Sequence, residues 1–330
     1  ALPFAGWSIT RLGSKRMTVL STLGYAGLLG LLGYSASVKS VWALSMGLFF
    51  FGFWGDVLNI AVNTQALQVQ EDYYVKPLMS SFHGLWSLGA LTAAFVGGIL
   101  MQWGVSLQAH FAGVALCLGM LAGALHSLLI LRDKHRHEQQ RLLAWPDRSL
   151  WLLGGICFCC ALCEGAMIDW SSLYYKQILR DIQQISTTGF TSYALLMTAG
   201  RFLGDGLVTR LGYRGILLLN SFLIVTGLST AIFFPSPLMV VLGFGLVGFG
   251  VSTIVPIVYT LAGRSSTLSP SVALAAVSTV GFSGFLIGPP LIGFLAHEIS
   301  LRWALLVVAL LGIFIGGLSR IVYSAEKIGR

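Results

Sequence analysis

Charge is what this chain has least of. Only 10% of its 330 residues are Asp, Glu, Lys or Arg, and just 12 are acidic. A water-soluble domain averages about 25% charged residues, so water cannot be the solvent for the surface this chain presents. Polar–apolar alternation is missing too: the apolar runs are long and continuous. In lipid every backbone polar group must be satisfied within the protein, and for such runs that means helices. Cysteine is scarce, with five residues that all fall inside apolar runs, so no disulfide framework is implied. Four of them cluster as "CFCCALC" (Cys157, Cys159, Cys160, Cys163). That cluster invites a soft metal, but cysteine as a small packing residue is the plainer reading, and neither metal nor cofactor is expected. Also missing are a secretory signal with a cleavage site, a Gly-x-Ser-x-Gly nucleophile turn and a His-Glu-x-x-His metal helix. An intramembrane enzyme would have nothing to work with, and the chain is not expected to be one.

What remains is apolar. Hydrophobic residues make up 56% of the chain, and its mean hydropathy is +0.82. A bilayer span takes roughly 20 apolar residues. The pattern predicts ten spans, near 17–35, 40–64, 79–102, 108–131, 150–175, 187–205, 213–234, 238–262, 270–295 and 302–323, after a stub at 1–7. The net charge of +8 does not point to nucleic acid, because the cations are sorted by loop. Lys39, Lys176, Arg180 and Arg302 fall on one side of the alternation, and the other sixteen basic residues fall on the opposite side. The positive-inside rule puts the sixteen, and the C-terminus with them, in the cytoplasm. The expected partners are the bilayer, a small-molecule substrate and protons, with no nucleic acid and a monomeric state.

One polar phrase occurs twice. Thr10-Arg11-Leu12-Gly13 returns as Thr209-Arg210-Leu211-Gly212, 199 positions on, and Gly89 and Gly288 share the same offset. Four spans follow the phrase in each half, but two spans precede the second copy and only the stub precedes the first. The expectation is a six-span repeat whose first copy lacks roughly two spans, so that the chain is an N-terminally incomplete version of a twelve-span protein. The halves are 1–131 and 150–330, joined by a cytoplasmic linker at 132–149.

That layout resembles the major facilitator superfamily (MFS), whose phrase between spans two and three runs roughly Gly-x-x-x-Asp-Arg-x-Gly-Arg-Arg. The resemblance implies an all-α polytopic membrane fold of two six-helix pseudo-repeats, here about ten full helices plus a stub. It implies a cytoplasmic gate at Gly6, Arg11 and Gly13 in one half and at Arg201, Asp205, Arg210, Gly212 and Arg214 in the other. Thr10 replaces the family's Asp, which weakens the gate's charge contact in the first half. In the second, Asp205 lies four residues after Arg201, within pairing reach on a helix. Four further stretches resemble the bacterial YbjJ/MosC-like branch: "FWGDVLNIAVNTQA" (53–66), "SSFHGLWSLGAL" (80–91), "EGAMIDWSSLYY" (164–175) and "GFSGFLIGPPLIG" (281–293).

Ionisable residues inside spans are costly and usually face a cavity or a partner. Asp56 lies in the fourth span of the twelve-span numbering. Asn59 and Asn63 follow at i+3 and i+7, which makes one polar stripe. It suits a hydroxyl-rich solute and a proton-accepting carboxylate; interhelical contact is the alternative reading. Glu164 sits near the middle of span seven. Asp169 lies about 140° around the same helix, toward the outer vestibule or toward Lys176 or Arg180. His83 is either a proton carrier or an interface histidine. Trp86 at i+3 from His83, and Trp170 beside Asp169, offer flat faces for a sugar ring or ordinary core and lipid contact. "GFGLVGFG" (243–250) lies inside a span and reads as close helix packing, not as a dinucleotide fingerprint; Pro256 is expected to help bend that span.

The functional expectation is a secondary active transporter of the bacterial inner membrane, a proton symporter of a sugar, polyol or related small polar metabolite. Asp56 and Glu164 are expected to face one midplane site. The alternatives are an exporter of amphipathic compounds or drugs, and a non-transporting fragment or sensor.

Overall fold

The computed structural model describes residues 1–38, 40–74, 76–131, 145–179, 187–265 and 267–328. Most of the expected linker (132–144), together with Lys39, Arg180 and Arg330, lies outside them. Every element among the described residues is helical: α1 (Leu2–Leu12), α2 (Ser14–Ser37), α3 (Val41–Val69), α4 (Met79–Gln102), α5 (Leu107–Leu125), α6 (Arg148–Leu179), α7 (Thr188–Phe233), α8 (Pro237–Val251), α9 (Ile254–Gly263), α10 (Pro270–Ile299) and α11 (Leu301–Ile328). A π turn at Gln70–Tyr74 follows α3, and a short 3-10 turn at His126–Leu128 follows α5.

Among the described residues nine helical stretches are long and apolar enough to cross a membrane. The difference from ten is α7. Its 46 residues would reach about 70 Å as one rod, against a hydrocarbon core of about 30 Å. The rod is broken at Gly212, with φ 69° and ψ 165°, which joins the two spans expected at 187–205 and 213–234. Gly13, with φ 88° and ψ 147°, separates α1 from α2 in the same way. That region of backbone space is open to glycine and strained for residues with a Cβ. The repeated phrase is therefore a repeated corner.

The span expected at 238–262 also breaks, into α8 and α9. The interruption falls at Ser252 and Thr253 and not at Pro256, which sits in the first turn of α9. Asn220 stabilises the break by donating to Thr253 Oγ1 at 2.7 Å.

The chain divides into two compact units. One holds Ala1–Tyr73, Trp86–Trp145 and Ser265–Ala276; the other holds Tyr74–Leu85, Pro146–Arg264 and Val277–Arg330. In the first, Gln65 of α3 is buried and ties three segments together. It donates to Ser14 Oγ (2.5 Å) and to the Ile130 carbonyl (3.1 Å), and its own oxygen accepts from the Ile130 N–H (2.9 Å). In the second, glycines set the spacing. Gly243 and Gly250 of α8 back onto Gly227 and Asn220, beyond the α7 corner, while Gly245 and Gly248 meet Ser192 and Tyr193, before it. Gly281, Gly284 and Gly288 of α10 lie against Cys157, Phe158 and Leu162 of α6. The cysteine face of α6 is thus a packing surface, with Cys157, Cys160 and Cys163 buried in it.

Candidate functional site

In the first unit the Asp56 stripe is a real helical face. Asn63 is buried, and its amide donates to the Asn59 carbonyl (2.9 Å) and side-chain oxygen (3.3 Å). Asp56 and Asn59 are half-buried. The residues just before Asp56 on α3 carry aromatic rings: Phe51 stacks on Tyr25 with centroids 4.0 Å apart, Phe53 packs on Phe4 at 5.3 Å, and Trp54 meets Phe53 edge-on. Trp54 lies so close over Gly24 that a Cβ there would sit 2.9 Å from its ring.

The first copy of the repeated phrase is held by packing. A Cβ on Gly6 would fall 2.9 Å from Ala275 Cβ and 3.1 Å from the Ser271 carbonyl, and Ser271 Oγ donates to the Gly6 carbonyl at 3.3 Å. Thr10 turns its hydroxyl back to the Trp7 carbonyl (2.7 Å). Arg11 is exposed and lies over the Trp7 ring at 4.7 Å. The basic residues that follow Gly13 line a cavity of about 560 Å³ with Gly13 itself; Lys15, Arg16 and His126 meet there among apolar side chains.

The second unit holds the ionic centre. Glu164 of α6 and Arg201 of α7 form an ion pair, 3.6 Å from Nη2 to Oε1, with side chains 13% and 6% exposed. His83, at the start of α4, lies within electrostatic reach of Arg201, and its ring is 6.0 Å from that of Tyr259. Tyr259 shares a 2.7 Å hydrogen bond with Ser278. Tyr193, buried, feels the charges of both Glu164 and Arg201.

The pairing expected from spacing along α7 is not the one formed. Arg201 turns to Glu164, and Asp205 caps α4 instead: Oδ1 accepts from the Ser80 N–H at 3.1 Å and Oδ2 from the Ser81 N–H at 2.8 Å. The reason lies in how helices begin. The first N–H groups of a helix have no partner within it, and Ser or Asp side chains usually accept from them. Ser40, Ser106, Ser236 and Asp147 do so locally for α3, α5, α8 and α6. Before α4 stands Leu78, whose side chain has no oxygen to accept from them, and a carboxylate from another helix meets the positive end of the α4 dipole. Gly200 and Gly204 permit the approach: a Cβ on Gly204 would run into Thr253 and Ser80, and one on Gly200 into Ser252.

The remaining candidates scatter. Asp169 is exposed, unlike Glu164 on the same helix, as the angle between them requires. Trp170 is half-buried against Gly293. Trp86 is 67% exposed and, unlike His83, belongs to the first unit. Arg210 and Arg214 are exposed around the Gly212 corner. Sequence reasoning missed Tyr193, Gln65 and the acceptor role of Asp205. A side-chain amide just past the expected span at 40–64 was a readable signal for Gln65; the N–H groups that Asp205 serves carry none.

Residues 1–272 and 157–327 match the family model described as Major Facilitator Superfamily. An uncharacterized MFS-type transporter of Yersinia pestis is 34% identical over 280 residues, covering 84% of this chain and 72% of its own. Membrane protein MosC of Rhizobium meliloti is 31% identical over 318 residues, covering 95% and 76%. Among solved structures, the E. coli fucose:proton symporter FucP superposes with a TM-score of 0.79 at 16% identity, over 98% of this chain and 87% of that one. The human organic anion transporter MFSD10 gives 0.73 at 15%, over 96% and 80%.

Proposed function

We propose a specific task for this chain, which belongs to the Major Facilitator Superfamily and is a multi-pass membrane transporter: it moves a sugar, polyol or related small polar metabolite across a bacterial inner membrane by alternating access, as a proton symporter. The observation that carries the coupling is the buried Glu164–Arg201 pair. An ionisable group inside a span costs about 2.5–3.5 kcal/mol on insertion scales, and a pair of them is weak support for stability. A carboxylate kept there is well suited to bind and release a proton during transport. For the solute, the support is the Asp56–Asn59–Asn63 face beside aromatic rings, which offers hydrogen bonds for hydroxyls and flat surfaces for a sugar's apolar face. The fold shared with the fucose:proton symporter does not choose a substrate. The proposal keeps the C-terminus in the cytoplasm, the monomer, and the phrases around Gly13 and Gly212 as parts of the cytoplasmic gate.

Uptake by proteoliposomes, with a panel of labelled sugars and polyols and an imposed pH gradient, tests this. Uptake rises when the outside is acidified. Glu164→Gln removes that dependence, and Asp56→Asn lowers uptake of the preferred solute. Movement of lipophilic cations alone, or unchanged coupling in both variants, overturns the proposal.

A further inference from the structure

We infer that the cavity at the start of α2 is a binding site for the headgroup phosphate of an anionic phospholipid, held by Lys15 and Arg16. The inference goes beyond the transport reading and takes from it only the placement of the basic loops on the cytoplasmic side.

The cavity holds about 560 Å³, within the roughly 300–1,000 Å³ usual for small-molecule sites. Its polar lining is basic: Lys15, Arg16 and His126, with no acid among the residues that line it. Lys15 Nζ donates to the Leu129 carbonyl at 3.4 Å, which engages one of the ammonium's three hydrogens. Arg16 is exposed, and its planar fork matches two oxygens of one phosphate. His126 Nδ1 stands 2.7 Å from the Gly123 carbonyl. A carbonyl only accepts, so Nδ1 carries the hydrogen and Nε2 is the nitrogen left for the rest of a headgroup. The walls are tied together without a ligand. Gln65 of α3 joins Ser14, at the start of α2, to both backbone groups of Ile130, and Lys15 adds a second tie to the same segment at Leu129. A site built in advance loses less on binding.

The rest of the lining is hydrocarbon. Val19 and Leu20 carry the wall along α2 into the span, and Leu20 and Leu131 are exposed. A free anion gains nothing from such a wall; a phosphate joined to acyl chains does. Cations at the edge of a span with apolar side chains beyond them match the level at which headgroup and acyl chain meet, and basic pockets on the cytoplasmic side attract anionic lipids. The sequence that runs on from Leu131 is basic as well, with Arg132, Lys134, Arg136 and Arg141 against Asp133 and Glu138. A zwitterionic lipid brings an ammonium along with its phosphate, and this surface repels the ammonium. The site therefore selects a lipid of net negative charge.

Native mass spectrometry of the full chain in detergent, with dioleoyl phosphatidylglycerol and dioleoyl phosphatidylcholine in competition, counts the lipids the protein keeps. Wild type keeps phosphatidylglycerol. Lys15→Gln with Arg16→Gln weakens its retention by about fivefold per cation, about twenty-five-fold for the pair. Lys76→Gln with Arg264→Gln removes the same charge from exposed positions outside the cavity and changes retention far less. No preference for phosphatidylglycerol overturns the inference. Equal weakening by the two double variants does so too, because the attraction would then belong to the basic surface as a whole. Inorganic phosphate in excess leaves the lipid in place; displacement by it would make the cavity a site for a free anion and overturn the lipid assignment. A photoreactive phosphatidylglycerol locates the site in wild type, so the inference stays testable if the cavity variant fails to fold. Crosslinks are expected on peptides covering 12–20 and 126–131, and crosslinks confined to other peptides overturn it. Neither assay needs a solute or a pH gradient. Lipid held in the cavity of a protein that takes up no sugar or polyol would remove the transport reading alone; a transporter whose cavity ignores the lipid would remove this inference alone.

Discussion

Aligned on their corners, Gly6 in the first copy of the repeated phrase stands where Asp205 stands in the second, and Leu2 stands where Arg201 does. The corners match: Gly13 and Gly212 both have positive φ. What the positions hold does not. Gly6 lets the start of α10 come close and takes one neutral hydrogen bond from Ser271, while Leu2 is buried hydrocarbon. Asp205 caps the start of α4 with a charge, and Arg201 pairs with Glu164. The same backbone device therefore carries an apolar contact in one copy and an ionic circuit in the other. The second copy holds ionisable side chains where the first holds none.

The largest expected break in that comparison is at Arg201. Arg201→Met leaves Glu164 buried without its cation and should cost about 3–5 kcal/mol of stability, whereas adding Glu164→Leu should recover most of it. Leu2→Met, the matching change in the first copy, conserves volume and should cost less than about 1.5 kcal/mol. Equilibrium unfolding in mixed micelles measures all three. Equal losses at Leu2 and Arg201 would mean that the pair contributes packing only. Next comes the cap. Asp205→Asn weakens hydrogen bonds made to a charge, an effect of about 1.5–3 kcal/mol, while Ser271→Ala removes one neutral bond worth about 1 kcal/mol. The same unfolding assay ranks them, and Ser271→Ala as costly as Asp205→Asn would erase the contrast between the copies.

Much of this was legible in the sequence, for reasons tied to particular residues. Continuous apolar runs force helices in lipid, so the spans follow from composition. The paired glycines at 13 and 212 were visible as a duplicated phrase, because a corner that needs positive φ demands the same residue each time. Glu164 and Asp169 were set apart by their angle on one helix, and the Glu164 side chain is 13% exposed while Asp169 is exposed. The partner of Arg201 was not legible. Spacing along one helix says which side chains can meet there; it does not say what the next helix offers, and Glu164 outcompetes Asp205 from outside the helix. Nor could a sequence show that the start of α4 takes up Asp205 from 125 positions away, since the donors are backbone N–H groups common to every residue. The break at Ser252 and Thr253 was masked by Pro256, a stronger local signal whose place in the first turn of α9 disturbs nothing.

The smallest effect is the one that the two copies should share. Gly13→Ala and Gly212→Ala each add a Cβ at a corner where no neighbouring atom lies within 4 Å of Gly212's added Cβ, so at Gly212 the cost is backbone strain, not collision. Positive φ with extended ψ should cost a Cβ-bearing residue roughly 1–2 kcal/mol. The two losses should be alike, since the φ values, 88° and 69°, are alike, and they should add in the double variant because the corners belong to different helices. Unfolding midpoints of the two single variants and the double decide it. A Gly212→Ala loss well above that of Gly13→Ala would mean that the second corner bears load from the Arg201–Asp205 turn just before it. The ionic circuit would then reach into the backbone, and the two copies would differ in more than the side chains they carry.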